Sequence, residues 1–349
     1  MKPLALPAKP FLRQLVIATS VLSAFTIVFI IFAVSFLYSP ISALDKPSDL
    51  TAASNQPLLI EVLPGSSFSR IATELNSAGV IQYPLLFKLL AKWQGVENLI
   101  KTGEYELQAG LSPAQLLDEM VQGKTVQYRV TLVEGWTFKQ ALDAIWASEN
   151  IESSLIELDL QDIAARMELD ADHPEGMLFP DTYFYTKGTT DLELIKRANR
   201  KLDAVLAEAW DSRVGALPYE NKYEALIMAS VIEKESANNS ERGHIAGVFV
   251  QRLDLGMRLQ SDPTIIYGMG DAYDGDIRRQ DIDTATAYNT YRIDGLPPTP
   301  IALAGLESIE AALNPLPSGY LYFVSKGDGS HYFSATLEEH NAAVREYQK

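Results

Sequence analysis

The sequence predicts an α+β protein that is anchored by one N-terminal transmembrane helix. An uncharged apolar segment occupies residues 15–37, and a strand–turn–helix pattern recurs between residues 58 and 148. After residue 173, apolar helices alternate with loops rich in Gly and Pro. We therefore predict a transmembrane helix, a small α+β module and then a larger mixed α+β domain.

Composition and charge exclude several classes of function. The chain has 349 residues, of which 47% are apolar, and it contains no cysteine. Disulfides, thiolate metal sites and cysteine nucleophiles are therefore excluded. The formal net charge is -16, whereas binding to phosphates requires clustered Lys and Arg. Neither nucleic acid nor an anionic membrane surface is therefore expected as the main ligand.

The apolar segment at residues 15–37 is long enough to cross a hydrocarbon core of about 30 Å. Lys2, Lys9 and Arg13 precede it, and basic residues no longer dominate after it. The positive-inside rule then places the N-terminus in the cytoplasm and the rest of the chain outside it. The alternative is a cleaved signal peptide, whose apolar region is usually only about 7 to 15 residues long. We therefore expect a single-pass protein of the inner (cytoplasmic) membrane with a periplasmic or other extracytoplasmic domain.

A local pattern of strand, glycine turn, hydroxyl cap and amphipathic helix recurs three times, over residues 58–79, 103–123 and 128–148. A hydroxyl side chain accepts a hydrogen bond from a free N–H group at the start of a helix, and this favours Ser or Thr at that point. The three copies predict one or two small α+β modules before residue 150. The candidate caps are Ser66, Ser67, Ser112 and Thr137.

The first of these copies resembles a LysM-type glycan-binding unit. In such units a strand, two helices and a second strand form a shallow groove for N-acetylglucosamine chains. The alternative is a repeat with the same secondary structure that binds no ligand.

The remainder of the chain predicts further helices and one hairpin. The acidic residues 149–172 have helical periodicity and predict a pair of solvated helices. Helices are also expected over residues 192–210, from residue 222 onward and over residues 336–347. The turn at residues 326–329 lies between two aromatic segments and predicts a β-hairpin.

The motifs that are absent from the sequence narrow the chemistry. The four histidines form no HExxH pattern, so neither a metal site nor a cofactor is expected. No GxSxG, Walker A or GxGxxG motif occurs. The remaining candidates are carboxylates, hydroxyls, amides and tyrosines. Such a set suits carbohydrate chemistry, in which one or two carboxylates transfer the proton.

The stretch SVIEKESANNSER, residues 230–242, places Glu233 and Glu235 two positions apart in an apolar helix. Side chains two apart on a helix point about 200° from each other, so the two carboxylates cannot flank one glycosidic bond. Glu235 shares its side of the helix with the bulky Met228 and Val231. Apolar surroundings favour the neutral carboxyl that a general acid needs at neutral pH. We therefore predict a raised pKa for Glu235 and expect Glu233 to be salt-bridged or exposed at the rim. The alternative for Glu235 is a helix-end glutamate that bonds to nearby amides.

Three longer blocks resemble the endolytic murein transglycosylases of the YceG-like (MltG) family. They are MASVIEKESANNSERGHIAGVFVQRLDLGMRLQSDPTIIYGMG, TAYNTYRIDGLPPTPIA and EGMLFPDTYFYT. The anchor, the LysM-like copy and the C-terminal HNAAVREY match that family's layout, so the resemblance covers essentially the whole chain. Thr299 and Leu303 depart from the small and polar residues expected in the family's LPPxPIAxxG loop.

The resemblance implies cleavage of the β-1,4 bond between N-acetylmuramic acid and N-acetylglucosamine in nascent peptidoglycan, acting in glycan strand termination. It implies that Glu235, the second glutamate of the E-K-E-[ST] motif, is the single general acid/base. Glu235 would protonate the bridging oxygen and then take the proton of the muramic C6 hydroxyl, which leaves a 1,6-anhydro end. The substrate's N-acetyl group is expected to stabilise the positive charge that develops.

Polar residues in the second half of the chain are candidates for orienting the sugar. The alternative is that they serve only as turn, cap or buried-network residues. They are Gln260, Ser261, Asp262, Thr264, Tyr288, Asn289 and Tyr291.

We expect five segments along the chain. The partners expected are peptidoglycan glycan strands and cell-wall synthases, with the membrane bound through the N-terminal helix. The segments are a cytoplasmic tail (1–14), a transmembrane helix (15–37), a linker (38–56), a LysM-like module (57–126) and a YceG-like catalytic domain (127–349).

Two other functions fit the same residues. A non-catalytic peptidoglycan-binding scaffold for cell-wall synthases would use the anchor and the LysM-like unit, and it would retain glycan without cleaving it. A conventional wall hydrolase would use water and would leave reducing muramic acid ends in place of anhydro ends.

Overall fold

A computed structural model describes residues 9–41, 58–169, 171 and 173–348. The chain divides into two compact units, Met1–Gln127 and Tyr128–Lys349. The predicted tail up to residue 8 and the predicted linker from residue 42 onward lie outside the described residues. Helices and strands are mixed in both units, which confirms the α+β class.

The first unit contains one long helix followed by a small strand–helix–helix–strand arrangement and a final helix. Its two strands pair antiparallel, with Leu58 opposite Leu107 and Val62 opposite Gly103. Its elements are α1 (Lys9–Tyr38), β1 (Leu58–Val62), α2 (Phe68–Ser77), α3 (Pro84–Gln94), β2 (Gly103–Leu107) and α4 (Pro113–Gln122).

Helix α1 contains the predicted membrane segment. Residues Arg13–Tyr38 have a mean hydropathy of 2.6 and are long and apolar enough to cross a membrane by length and composition. Among the described residues, this is the one helix that meets both conditions.

Each copy of the repeated pattern has a predicted hydroxyl cap, and in the first copy Ser67 occupies the cap position and the other candidate, Ser66, does not. The side chains of Ser67, Ser112 and Thr137 each accept a hydrogen bond from a backbone N–H of the first turn. At Ser112 and Thr137 a glutamine three residues later bonds back to the cap, forming a capping box. The third copy belongs to the second unit, because its strand pairs there with a later strand.

The second unit is built from helices around short strand pairs. Strand β3 pairs antiparallel with β5, β4 pairs parallel with β6, and β7 and β8 form the predicted hairpin. Its strands are β3 (Tyr128–Thr131), β4 (Ile151–Glu152), β5 (Thr182–Tyr185), β6 (Thr189–Thr190), β7 (Tyr322–Ser325) and β8 (His331–Ser334). Its helices are α5 (Phe138–Trp146), α6 (Leu160–Met167), α7 (Asp191–Asp211), α8 (Lys222–Glu235), α9 (Asn239–Asp254), α10 (Asp262–Met269), α11 (Arg279–Asp283), α12 (Leu306–Leu313) and α13 (Leu337–Tyr347).

The prediction of a solvated helix pair over residues 149–172 is wrong. The described part of this stretch holds the short strand β4 and the single helix α6, whose inner face is buried. The buried carboxylate of Asp191 accepts hydrogen bonds from the backbone N–H groups of Ser154 and Leu155. Because these N–H groups bind a side chain, they are not available to a helix ladder.

Helix α8 forms the centre of the second unit. Every residue from Ala225 to Ile232 is buried, and the helix packs against α12, α9 and α7. A helix that is enclosed on all sides needs no polar face, which explains why its sequence lacks a clear amphipathic stripe. Its C-terminal end, at Glu235, is the point where the candidate site begins.

Candidate active site

A cavity of about 380 Å³ opens at the C-terminal end of α8. Its walls come from α9, from the loop before α10, from the β7–β8 hairpin and from α13. The polar and aromatic side chains that line it include Glu235, Arg252, Gln260, Asp262, Tyr291, Tyr322, His331 and His340.

Glu235 is the last residue of α8 and lines this cavity while remaining partly exposed. Ser236 ends the helix in an extended conformation, with φ -143° and ψ 127°. The chain therefore leaves the helix at the position directly after the carboxylate. One oxygen of the carboxyl, Oε1, accepts a hydrogen bond of 2.5 Å from the Ser261 hydroxyl.

Burial raises the pKa of Glu235 from 4.5 to about 7. The hydrogen bond from Ser261 and the positive charge of Arg252 oppose this rise, and the negative charge of Asp262 adds to it. A carboxylic acid with a pKa near 7 carries its proton in a large fraction of molecules at neutral pH. Glu235 is therefore suited to donate a proton.

We expect Ser261→Ala to raise the pKa of Glu235 above about 7, because the lost hydrogen bond stabilises the ionised carboxylate. The base limb of the kcat/KM profile should move to higher pH, and kcat should fall because the carboxyl is no longer oriented. The measurement is the activity that the resemblance implies, glycan cleavage, as a function of pH. Ser240→Ala is the control, since that hydroxyl bonds to Asn238. An unchanged base limb in Ser261→Ala would show that this hydrogen bond does not tune the acid.

Arg252 brings a buried positive charge to the cavity wall. Its guanidinium donates to the carbonyl oxygens of Leu321 and Leu259, each at 2.7 Å, and lies over the Tyr322 ring at 5.1 Å from the centroid. It also donates to the side-chain oxygen of Gln260 at 3.4 Å. These contacts connect α9 to the hairpin and to the loop before α10. The guanidinium of Arg252 is therefore held in place between these three parts of the cavity wall.

Three other predicted residues meet around Glu235. Gln260 has a left-handed backbone, with φ 53°, and its N–H donates to the carbonyl of Thr290. The Tyr291 hydroxyl donates to Asp262 Oδ1 at 2.7 Å. The structure thus brings Gln260, Asp262 and Tyr291 to the same cavity as Glu235.

The side chains of Thr264, Tyr288 and Asn289 do not line this cavity. The buried Thr264 hydroxyl pairs with Thr290 at 2.9 Å. Asn289 Nδ2 donates to the backbone carbonyls of Asp281, Ile282 and Thr284, and the backbone N–H of Tyr291 donates to its side-chain oxygen. These contacts hold the segments that carry Ser261 and Tyr291.

Tyr288 belongs to a separate hydrogen-bonded group. Its hydroxyl bonds to Thr299 at 2.9 Å, and its ring packs against Tyr267 at 4.9 Å. The Tyr267 hydroxyl in turn donates to the buried carboxylate of Glu175. Glu175 also accepts the N–H of Phe138 at 2.8 Å, so this group supports the start of α5.

The side chain of Glu233, the other glutamate of the pair, is only 5% exposed. It forms an ion pair with Arg242 at 2.9 Å and accepts a hydrogen bond from the Gly305 N–H at 3.0 Å. Because α8 is enclosed on all sides, the size of the apolar residues on its two faces does not distinguish the environments of Glu233 and Glu235. Their binding partners distinguish them instead, since the guanidinium of Arg242 neutralises Glu233, whereas Glu235 lines a cavity and accepts a hydrogen bond from the Ser261 hydroxyl.

Four further side chains that line the cavity were not predicted from the sequence, namely those of Arg252, Tyr322, His331 and His340. The His340 ring stacks on Tyr322 at 5.2 Å, burial lowers its pKa, and its Nδ1 has no hydrogen-bond partner among the described residues. His331 bonds to Glu241 at 2.8 Å. The cavity therefore has a neutral imidazole and an aromatic ring on the wall formed by the hairpin and α13.

Two further observations delimit the site. A larger cavity of about 840 Å³ lies elsewhere in the second unit, but no residue predicted for catalysis or substrate binding lines it. Within the described ranges, no group of three or more His, Asp and Glu side chains is arranged to hold a metal ion. The smaller cavity at Glu235 is therefore the candidate active site.

Comparison with known proteins gives concordant results. The model of the YceG-like family matches residues 60–346. The chain is 32% identical over 337 residues to the endolytic murein transglycosylase of Bacillus subtilis (strain 168), covering 90% of both proteins. It is 31% identical over 342 residues to the protein of the same name from Streptococcus pneumoniae serotype 2 (strain D39 / NCTC 7466), of which it spans 61%.

A solved structure is similar as well. The crystal structure of a yceG-like protein from Listeria monocytogenes matches with a TM-score of 0.53 and 33% sequence identity. The match covers 83% of this chain and 99% of the Listeria chain.

Proposed function

The chain belongs to the YceG-like family, and we propose that it is a membrane-anchored endolytic murein transglycosylase. It acts on peptidoglycan as a lytic transglycosylase, cleaving the β-1,4 bond between N-acetylmuramic acid and N-acetylglucosamine in nascent strands. The observation that carries the proposal is the carboxyl of Glu235, which lines a cavity, has a raised pKa and accepts a hydrogen bond from Ser261.

Glu235 serves as the single general acid/base. Its proton passes to the bridging oxygen as the bond from that oxygen to C1 of the muramic acid breaks. The resulting carboxylate then takes the proton of the muramic C6 hydroxyl, whose oxygen forms a new bond to C1. Glu235 therefore donates one proton and accepts one proton in each cycle, and no water is incorporated into the product.

The charge that develops at C1 needs stabilisation, and the substrate's own N-acetyl group supplies it in this proposal. Gln260, Asp262 and Tyr291 face the cavity that holds Glu235, which supports a role in orienting the sugar. Ser261 orients the acid itself through its hydrogen bond. Thr264 and Asn289 act indirectly, by holding the segments that carry these residues.

We expect the activity to fall as pH rises through about 7, because the general acid must carry its proton in the free enzyme. The measurement is kcat/KM for glycan cleavage between pH 5 and 9. A single base limb near pH 7 that is absent from the Glu235→Gln background supports the assignment. Full activity maintained to pH 9 would contradict it.

The same pKa has a consequence for stability that does not depend on activity. Below about pH 4.5, Glu235 carries a proton in both the folded and the unfolded chain. Between about pH 4.5 and 7 the unfolded chain loses this proton first, so rising pH favours unfolding, and above about 7 the difference is constant. The melting temperature of the native protein should therefore fall relative to Glu235→Gln over this window. Parallel melting curves across it would contradict a raised pKa.

The anchor is part of the proposal. We infer that α1 crosses the inner membrane once, with the N-terminus in the cytoplasm and the chain after α1 outside it. Support comes from the apolar span Arg13–Tyr38 and from the basic residues before it.

We also propose that residues 57–126 form a LysM-like module and that residues 127–349 form the YceG-like catalytic domain. The strand–helix–helix–strand order of β1, α2, α3 and β2, with the two strands antiparallel, supports a LysM-like module. Its ligand in this proposal is the glycan strand. A role in strand termination beside cell-wall synthases follows from cleavage of nascent strands at the membrane.

Incubating the full chain in detergent micelles with uncrosslinked glycan strands tests the activity. Release of shortened strands with anhydro ends supports the proposal. Retention of glycan without any cleavage would instead identify a binding scaffold.

A further inference from the structure

Helix α3 in the first unit carries a row of large apolar side chains that its own core does not use. Leu85, Leu89 and Trp93 are 67%, 49% and 81% exposed. They are spaced four residues apart, so they share one face of the helix. The opposite face is buried in the core of the unit and consists of Leu86, Phe87, Leu90 and Ala91.

This arrangement is unusual for a helix at the surface of a water-soluble unit. Such helices place polar residues on the outer face, and contiguous exposed apolar surface marks a site of contact. Helix α3 is apolar on two faces, and the described chain covers one of them. The outer row therefore needs an occupant.

The end of α1 lies directly beside the start of α3. The ring of Tyr83, the residue before α3, contacts the rings of Phe32 and Phe36 edge-on, at centroid distances of 5.3 and 5.0 Å. Leu37 and Ile41 are buried in the core of the same unit. The end of α1 is thus packed against the rest of the first unit.

A backbone hydrogen bond reinforces this attachment. The N–H of Ile41, three residues after the end of α1, donates to the carbonyl of Leu111 at 2.8 Å. Both the side chains and the backbone at the exit of α1 are therefore fixed to the unit.

The depth of the row follows from helix geometry. Phe32 and Phe36 precede Tyr38, the end of α1, by six and two residues, so Tyr83 sits about 3 to 9 Å on the membrane side of that end. From Tyr83 to Trp93 the chain rises at most about 15 Å, even if α3 stood parallel to α1. In that orientation Trp93 lies about 6 to 12 Å beyond the end of the apolar helix on the extracytoplasmic side, and every other orientation of α3 places it closer to the membrane or in it. The polar interfacial layer of a bilayer is about 5 to 7 Å thick on each side, so the row lies in or next to this layer even with α3 upright, and a sufficient tilt of α3 toward the membrane plane places all three side chains in it.

We propose that Leu85, Leu89 and Trp93 insert into the extracytoplasmic interfacial layer of the membrane that α1 crosses. The lipid then covers the second apolar face of α3 and fixes the first unit on the membrane surface. The chemistry is that of an interfacial helix, whose apolar side is buried among headgroups and upper acyl chains, with Trp and Tyr at the boundary. This inference rests on the proposed anchor and its orientation.

Single-cysteine spin labels can measure the depth of each position directly, because the chain contains no cysteine of its own. The full chain is reconstituted into vesicles of three parts phosphatidylethanolamine to one part phosphatidylglycerol. Labels are placed by Leu85→Cys, Leu89→Cys and Trp93→Cys. Collisions with oxygen, which partitions into lipid, are compared with collisions with a water-soluble nickel chelate.

Two control positions calibrate the experiment. Val28→Cys lies within α1 and reports whether this helix is in the bilayer at all. Asp118→Cys is exposed on α4 of the same unit and reports a position in water. A melting curve of each labelled variant that matches that of the native chain shows that it is folded.

The proposal predicts that the oxygen-to-nickel ratio at all three row positions shifts away from the value at position 118 and toward the value at position 28. Ratios equal to that at position 118 would overturn it while leaving the anchor intact. Labels shielded from both reagents, or broadened by a neighbouring label, would show that a second copy covers the row and would also overturn it. A water-like ratio at position 28 would remove the anchor and this inference together.

Discussion

Glu235→Gln is expected to lower the release of anhydro-muropeptides by about 100- to 10,000-fold, the usual range for loss of a general acid. Glutamine has nearly the same shape as the protonated carboxylic acid and can still accept a hydrogen bond from Ser261. It cannot give up a proton to the bridging oxygen or take one from the C6 hydroxyl. The measurement is mass analysis of products from uncrosslinked glycan strands incubated with the full chain in detergent.

A loss of activity in this variant must be separated from a loss of folding. Glu235→Gln removes a carboxyl whose ionised form is destabilised by burial, so its melting temperature at pH 8 should equal or exceed that of the native protein. Glu310→Gln is the matched control, since Glu310 is exposed on α12 and does not line the cavity. Undiminished product from Glu235→Gln would mean that another group supplies the proton.

Glu233→Ala is expected to destabilise the protein by about 3 to 5 kcal/mol, the cost of leaving one charge of a buried ion pair without its partner. Glu233 and Arg242 each expose only 5% of their side chains. Arg242 also donates to the carbonyl of Ser236, the residue that ends α8 directly after Glu235. The measurement is the free energy of unfolding by denaturant, monitored through a spectroscopic signal from the second unit.

A comparison of two ion pairs makes this prediction specific. Arg258→Ala breaks the exposed pair between Arg258 and Asp294, and it should cost no more than about 1 kcal/mol. A loss of similar size for Glu233→Ala would contradict the structural role of the buried pair. The two glutamates of the stretch should thus separate by phenotype, with Glu233 affecting stability and Glu235 affecting chemistry.

Local features of the fold could be predicted from the sequence because their causes are local. The caps at Ser67, Ser112 and Thr137 follow from hydroxyl groups placed just before apolar helical patterns. The β7–β8 hairpin follows from a Gly-containing turn between aromatic strands. Residues 149–172 were harder, because a distant carboxylate, Asp191, captures the backbone N–H groups that a helix would need.

The candidate site was predictable only in part, for a related reason. Glu235 and the segment from Gln260 to Asp262 belong to one continuous motif, and the structure does bring them together. Tyr322 and His340 reach the cavity because the hairpin packs on α9 and α13 packs on the hairpin, and no sequence spacing encodes these long-range contacts. The role of Ser261 was equally hard to predict. It occupies the cap position of α10, but its hydroxyl donates to Glu235 and does not cap the helix.

The central claim is that the reaction ends within the substrate itself. The carboxylate of Glu235 takes the proton of the muramic C6 hydroxyl, and the C6 oxygen, not water, bonds to C1. Cleavage of uncrosslinked glycan strands in water enriched in oxygen-18, followed by mass analysis of the new muramic acid ends, tests this claim most directly. The account predicts anhydro ends that contain no heavy oxygen. Reducing ends that carry oxygen-18 would contradict it and would identify a hydrolase that uses water.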